Sequence, residues 1–335
     1  MRRRQLVQVA GACALLGLAT RWSSAAPLTP LRKVRLGVLT RTRPELPTMA
    51  RWWLRALALL QQRGWTVGDN LSLEVRVGAD AAALRRAAEE LIAAPVDVLY
   101  ADGNSAALQA VKATSALPIV MQGAGIVELG MAQSLARPGG HVTGIDLLAY
   151  DSCGKGLSHL RALRPGLTHI GLPLTRGLLL GEAWYQSWAR VAAPIGIEVT
   201  ALPRVLRSED IGAMLAAARQ EHIQALVVPN LPFLIPTDWS RIQAWAVAQR
   251  AVTLGAISDS GATMLAFGPS MTEVVGMAVH QLDQVLRGVR PAEIPIMRPT
   301  RFDLVLNRRL ANQAGWRMPD ELLLQATEVV ADGSV

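Results

Sequence analysis

The sequence predicts an α/β protein with two Rossmann-like lobes, each formed around a parallel β-sheet. From residue 33 to residue 136, short apolar strands alternate with amphipathic helices, an order typical of parallel sheets covered by helices on both faces. An Arg-Pro-Gly-Gly break at 137–140 interrupts this pattern, and the same alternation starts again after it. A chain of 335 residues also exceeds the usual size of one domain, so two lobes are expected.

The first 26 residues are typical of an export signal. Residues 2–4 are arginines, residues 6–19 are apolar and uncharged, and small residues at 23–26 suit a signal peptidase. The apolar stretch is too short for a transmembrane helix, which takes about 20 residues. We therefore expect a signal peptide at 1–26 and a periplasmic protein exported by the Sec or the twin-arginine route. Lipoprotein anchoring at Cys13 is not expected, because the apolar stretch continues beyond that cysteine.

Composition excludes several classes of protein. Residues 1–26 contain four arginines and no acid, so their removal lowers the formal net charge from +8 to +4, which does not favour nucleic-acid binding. The rest of the chain keeps one cysteine, Cys153, so it has no internal disulfide and no cysteine-based metal site. We expect a monomer without cofactor or metal.

In the first lobe, four strands alternate with four helices. Pro and Gly end several of these segments, as they do at the carboxyl ends of helices. The predicted strands are 33–39, 71–77, 96–101 and 117–122, and the predicted helices are 47–64, 80–94, 105–115 and 127–136.

In the second lobe, the series restarts at residue 167 with the same alternation. The predicted strands are 167–174, 197–202, 223–229 and 251–257, and the predicted helices are 181–196, 208–221 and 238–250. The final part breaks the alternation with a long helix at 270–288, which is flanked by extended segments at 262–268 and 294–307. Ser270 and Glu273 have the spacing of a capping box at the start of this helix. This part is too small for a third domain, so we expect it to complete the sheets of the two lobes.

Several collinear stretches resemble the substrate-binding proteins of bacterial ABC importers, in the branch that includes tryptophan and tyrosine binders. They include "GWTVGDNLSLEVR" (64–76), "ELIAAPVDVLYADG" (90–103), "SLARPGGHVTGI" (134–145), "PTRFDLVLN" (299–307) and "AGWRMPDELLLQATEVV" (314–330). The resemblance implies a type I periplasmic-binding fold, in which two lobes joined by three crossover strands close on a ligand by hinge motion. It places lobe one at 27–142 plus 268–299, lobe two at 146–262 plus 303–335, and the crossovers near 141–145, 263–267 and 300–304. The segment 141–144 is then expected to be a bridge between the lobes and not a full sheet strand.

Ligands of parallel α/β sheets bind beyond the carboxyl ends of the strands, which locates the candidate site. Asp102-Gly103-Asn104-Ser105 leads directly into a helix, whose first N–H groups favour a carboxylate, while Asp102 suits an ammonium group. Asn104 or Ser105 is also a candidate helix cap, and this alternative stays open. The candidate ligand-binding residues all follow strands of the two lobes: Thr40, Arg41, Thr42, Asp102, Asn104, Ser105, Gln122, Gly125, Thr175, Asn230, Ser258 and Asp259.

The predicted function is capture of a small solute for the membrane permease subunits of an ABC importer. The candidate solutes are amino acids and similar carboxylated molecules, aromatic ones included. On this interpretation the protein is not an enzyme. Two alternatives are a secreted α/β hydrolase that uses Ser105, since the strand, turn and helix around it resemble a nucleophile elbow, and a ligand sensor without a transport role.

Overall fold

Two sheets organise the chain, each on its own core. The computed structural model describes residues 32–43, 45, 47–148, 150–174, 179–229, 234, 236–256 and 262–330, so the expected signal peptide lies outside the described residues. The strands are β1 (Val34–Thr40), β2 (Leu71–Val77), β3 (Val98–Asp102), β4 (Ile119–Gly123), β5 (Val142–Asp146), β6 (His169–Pro173), β7 (Glu198–Leu202), β8 (Ala225–Val228), β9 (Val252–Gly255), β10 (Leu265–Pro269), β11 (Phe302–Asn307) and β12 (Glu328–Val330). The helices are α1 (Pro47–Gln62), α2 (Ala81–Ala93), α3 (Asn104–Ala113), α4 (Cys153–Leu163), α5 (Leu179–Ala192), α6 (Ile211–Gln220), α7 (Pro236–Gln249), α8 (Met271–Leu286), α9 (Arg308–Gln313) and α10 (Asp320–Gln325).

Sheet one has the strand order β2-β1-β3-β4-β5, and all its strands are parallel. Its two faces differ in how they are covered. Helices α2 and α3 bury one face in a continuous apolar core that includes Leu39, Leu99 and Met121. Helices α1 and α8 cover the other face, towards which the alternate residues of the same strands point.

Sheet two has the order β12-β11-β10-β9-β8-β6-β7, in which β11 runs antiparallel to β10. The prediction that the final part of the chain completes the sheets of both lobes is confirmed for sheet two and wrong for sheet one, which gains no strand from that part among the described residues. Strands β10, β11 and β12 extend sheet two, while α8 between them packs against α1 and sheet one. The chain therefore passes between the sheets three times: after β5, after β10 and before β11.

The predicted helix at 127–136 is wrong. Residues 126–130 form turns, with Gly125 at φ 65° and Gly130 at φ 73°. These left-handed positions interrupt helical hydrogen bonding. Ile126 and Met131 are nevertheless buried in the core of sheet one. The apolar residues of this segment therefore anchor a loop to the core and do not form one face of a helix.

The interpretation of 141–144 as a bridge shorter than a sheet strand is also wrong. Residues 142–146 form the edge strand β5, which pairs with β4 along its full length and is buried at every position. Gly144 permits this, because a Cβ there would lie 1.9 Å from the Met121 carbonyl oxygen. The connection to sheet two begins only after Asp146.

Two further details differ from the sequence analysis. The segment 153–163, to which the sequence analysis assigned no element, is α4, and its Gly156 lies under Leu254 and Trp188 where a larger residue has little room. The capping box of Ser270 and Glu273 does not form. Glu273 instead accepts hydrogen bonds from the backbone N–H and hydroxyl of Thr300 and from the backbone N–H of Arg301, which ties α8 to the connection before β11.

None of the helices in the described part of the chain is long and apolar enough to span a membrane. The described residues also contain no group of three or more His, Cys, Asp or Glu side chains that could hold a metal ion.

Candidate functional site

Three polar side chains form one row across the carboxyl edge of sheet one. Residue Asp102 ends β3 and lies between Thr40, at the end of β1, and Gln122, near the end of β4. Gln122 Nε2 donates to Asp102 Oδ1 at 2.5 Å, and Thr40 Oγ1 donates to Asp102 Oδ2 at 3.1 Å. We call Thr40, Asp102 and Gln122 the polar row. The two donors hold the Asp102 carboxylate in a fixed orientation, and its oxygens can still accept further hydrogen bonds.

Burial raises the pKa of the Asp102 carboxyl, while the hydrogen bonds from Gln122 and Thr40 act in the opposite direction. Burial, and secondarily the Asp102 charge, raises the pKa of the neighbouring Tyr100 phenol well above its usual value. Asp102 is therefore a carboxylate that lacks a cationic partner in the polar row, and a cationic group of a ligand would stabilise its ionised form.

Thr42 is the most unusual polar residue beside this row. The residue is 3% exposed, and its hydroxyl is buried without a hydrogen-bond partner, although its backbone N–H donates to Thr40 Oγ1 at 3.1 Å. A buried polar atom without a partner costs about 1–3 kcal/mol, and functional sites are where such a cost is commonly found. The Thr42 hydroxyl is thus available to a ligand.

Asn104 has a structural role that the sequence analysis did not foresee. Its side-chain amide donates to the Ala124 carbonyl oxygen and accepts from the Ala124 N–H, both at 2.7 Å, so it fixes the loop after β4. Gly123 is required beneath it, since a Cβ there would lie 2.1 Å from Asn104 Oδ1. Neither Asn104 nor Ser105 caps α3: the cap residue is Gly103, which has no side chain.

The amino terminus of α3 therefore keeps its unsatisfied N–H groups, which point to the same edge of the sheet as Asp102. Ser105 lies in this first turn and is half-buried. Among the described residues, Ser105 makes no side-chain hydrogen bond with a histidine or a carboxylate. A carboxylate is the ligand group that this helix terminus favours.

Sequence reasoning missed a second cluster at the end of β5. Asp146 is 2% exposed and accepts hydrogen bonds from the N–H groups of Gly125 and Leu148, each at 3.2 Å. Its second oxygen pairs with Arg298 Nη2 at 3.0 Å, which joins the loop after β4, the connection after β5 and the segment before β11. Tyr150 lies against Gly125, where a Cβ would come within 2.6 Å of the ring. The rule that ligands bind at carboxyl ends of strands would have identified these residues if 142–146 had been assigned as a strand.

Arg41 lies at the same edge of sheet one, but its guanidinium group binds the loop after β2. Its Nη2 donates to the Ala79 carbonyl oxygen at 3.2 Å. Its pKa is lowered, first by burial and then by the nearby charge of Arg204, which follows β7, while Asp80 opposes the shift. The four remaining candidates, Thr175, Asn230, Ser258 and Asp259, lie outside the described residues.

Comparisons with known proteins bear on both fold and class. Residues 57–330 match a family model described as ABC transporter substrate binding protein. The tyrosine-binding protein of Clostridioides difficile is 23% identical over 272 residues, which cover 79% of this chain and 75% of the relative.

Two solved structures share the fold. A conserved domain protein from Vibrio cholerae has a TM-score of 0.80 at 20% identity, with 89% of this chain and 100% of that chain covered. The ABC domain in complex with L-Trp from Streptococcus pneumonia has a TM-score of 0.77 at 18% identity and the same coverage. The predicted α/β class with two sheet lobes, of the type I periplasmic-binding fold, is confirmed.

Proposed function

Because the chain belongs to the family of ABC transporter substrate-binding proteins, we propose that it captures an amino acid or a similar carboxylated solute and delivers it to an ABC importer. The observation that carries this proposal is the polar row, which ends beside the amino terminus of α3. An amino acid has a cationic and an anionic group on the same carbon atom. This edge of sheet one offers an acceptor for the first group and donors for the second.

In the proposed complex the α-ammonium group donates to Asp102. The α-carboxylate accepts from the first N–H groups of α3 and from the hydroxyl of Ser105. Thr42 supplies a further hydroxyl, and Gln122 and Thr40 hold the Asp102 carboxylate in place. The names of two similar proteins, a tyrosine-binding protein and a domain bound to L-Trp, support the amino-acid class.

Closure of the two lobes completes the proposed binding site. The two lobes, one formed around each sheet, close on the solute by a hinge at the three connections between the sheets, which follow β5, follow β10 and precede β11. Thr175, Asn230, Ser258 and Asp259 also take part in binding the solute, and Arg41 and Gly125 border the site at the edge of sheet one. The protein acts as a periplasmic monomer after export, presents the solute to the permease subunits, and catalyses no reaction.

A thermal-shift panel of the standard amino acids and simple aromatic acids tests this function. A solute at 100 times its dissociation constant adds about 2.7 kcal/mol to the free energy of unfolding, so a true ligand raises the melting temperature. If no amino acid or carboxylic acid in the panel raises the melting temperature, the proposed function is wrong.

Ser105→Asp tests the placement of the carboxylate, with Ser105→Asn as the matched neutral control. A carboxylate in the first turn of α3 interacts favourably with the helix dipole, so the melting temperature without ligand stays level or rises. The same charge repels the α-carboxylate, and we expect about tenfold weaker binding by calorimetry, or about 1.4 kcal/mol. Equal affinity of the aspartate and asparagine variants would show that the carboxylate binds elsewhere.

A further inference from the structure

An apolar cavity of about 70 Å³ lies inside lobe one, between α1, α8 and the face of sheet one that those helices cover. Leu36 and Val38 of β1 form part of its floor, and Val275 and Val279 of α8 form one wall. The opposite wall is α1, which contributes Ala56 and the partly exposed rings of Trp52 and Trp53.

The cavity is polar at one end only. That end is formed by the polar row, by Thr42, whose buried hydroxyl has no hydrogen-bond partner, and by Tyr100, which lies two residues before Asp102 on β3. The far end is closed, because Leu60 and Trp65 are 2% and 1% exposed and Trp65 Nε1 donates to Asp283 Oδ1 at 2.8 Å. A molecule that fits this shape has an apolar chain and a hydrogen-bonding head, with the head at the carboxyl edge of the sheet.

The volume of the cavity discriminates between apolar groups. An apolar cavity that accepts benzene measures about 150 Å³, roughly twice the space available here. A short aliphatic chain fits without movement of α1, whereas a phenyl or indole ring requires the helix to move away from the sheet. The floor and the α8 wall are aliphatic, and the aromatic rings of the lining are those of Trp52, Trp53 and Tyr100, so the volume is what favours an aliphatic occupant.

We propose that this cavity binds the aliphatic side chain of the solute, so that the protein selects aliphatic α-amino acids over aromatic ones. The proposal rests on the proposed function, since the ammonium group at Asp102 positions the side chain at the cavity mouth. The side chain enters between α1 and sheet one, while the carboxylate remains at α3.

Ala56→Leu tests the cavity, and Ala58→Leu is the matched control. Both substitutions replace a methyl side chain of α1 by the same isobutyl side chain, but Ala56 lines the cavity and Ala58 is exposed to solvent. Calorimetry with L-leucine, L-norvaline and L-tryptophan should show that the wild type prefers the two aliphatic amino acids at least tenfold. Ala56→Leu should weaken their binding at least tenfold and Ala58→Leu less than twofold.

The melting temperature without ligand shows whether Ala56→Leu is folded, and it should be equal to or above that of the wild type because the new side chain fills a void. If the ligand-free melting temperature falls, the smaller substitution Ala56→Val replaces Ala56→Leu in the test. We expect it to cause an intermediate loss of L-leucine affinity. Equal binding of L-leucine by the wild type and the folded cavity variant would overturn the inference but leave the proposed function intact. Tighter binding of L-tryptophan than of L-leucine by the wild type would do the same.

Isopentylamine separates the two proposals further, because it keeps the aliphatic chain and the ammonium group of leucine but lacks the carboxylate. We expect weak binding that Ala56→Leu removes. If isopentylamine binds in this way and no amino acid or carboxylic acid binds, the cavity is used but the proposed function is wrong. If neither isopentylamine nor any amino acid or carboxylic acid binds, both proposals are wrong.

Discussion

Asp102→Asn is the substitution that most directly tests the polar row, because it removes one charge and changes almost no volume. The carboxylate accepts one hydrogen bond on each oxygen, from Gln122 and from Thr40. In the variant, Oδ1 still accepts from Gln122, and Nδ2 donates to Thr40 Oγ1. The Thr40 hydroxyl then donates to the Thr42 carbonyl oxygen, which already lies 3.2 Å away.

The stability of the Asp102→Asn variant follows from the raised pKa of this carboxyl. A carboxyl whose pKa is higher in the folded than in the unfolded state destabilises the fold at pH values above that pKa, where both states are ionised. At pH 7 the asparagine removes this cost, and the hydrogen bonds re-form. We therefore expect a free energy of unfolding within about 1 kcal/mol of the wild type, or slightly above it.

The affinity of Asp102→Asn for the amino acid should fall sharply. A hydrogen bond to a charged group contributes about 1.5–3 kcal/mol, so a loss of about 2 kcal/mol weakens binding roughly 30-fold. Wild-type affinity should also decrease as the pH falls through the raised pKa of Asp102, whereas the affinity of the variant should not.

Calorimetry across pH measures both effects, and Asp97→Asn is the control. Asp97 precedes β3 at the opposite end of the sheet, where it pairs with Arg32 at 2.9 Å. Its substitution changes the net charge equally and should leave affinity unchanged. The reasoning is refuted if Asp102→Asn binds the amino acid as tightly as the wild type, or if it loses more than about 2 kcal/mol of stability.

Two further predictions concern stability. His159 is 2% exposed, and burial, followed by the charge of Lys155, lowers its pKa to about 4. Because the folded pKa lies below the unfolded value of 6.5, stability is complete above pH 6.5 and is lost as the pH falls towards 4, by up to about 3 kcal/mol. Urea denaturation of His159→Gln should show that much less acid sensitivity over the same window, and an unchanged pH profile would contradict the assignment. Asp146→Asn keeps an acceptor for two backbone N–H groups but loses the charged pair with Arg298, so we expect a loss of about 2 kcal/mol in urea, and a loss under 0.5 kcal/mol would show that the pair contributes little.

The prediction of strands and helices from the sequence succeeded for most segments with a strong apolar periodicity, although α4 was missed. The long helix at 270–288 is α8, because its apolar positions recur at helical spacing and face a core. The predicted helix at 127–136 failed for a reason that composition does not reveal. Gly125 and Gly130 adopt left-handed conformations in a loop that passes Tyr150 at Gly125 and then buries Met131.

The candidate site was predicted in part. The rule of carboxyl ends identified Thr40, Asp102 and Gln122 separately, but not that one carboxylate accepts from both neighbours. Asn104 was predicted as a ligand donor or a cap, yet its amide is occupied by the backbone of Ala124. Hydrogen-bond partners so distant in sequence depend on strand order, which local patterns do not specify.

The α/β class, the two successive lobes and the polar residues after the strands can be read from the sequence, because periodicity and Gly or Pro positions act locally. Strand order cannot be read in this way, and it is the packed fold that makes β1, β3 and β4 neighbours and aligns Thr40, Asp102 and Gln122 in one row. It also decided the cavity beside that row. The size of the cavity depends on the separation of α1 and α8, which are more than 200 residues apart in the chain and meet only through the packed fold.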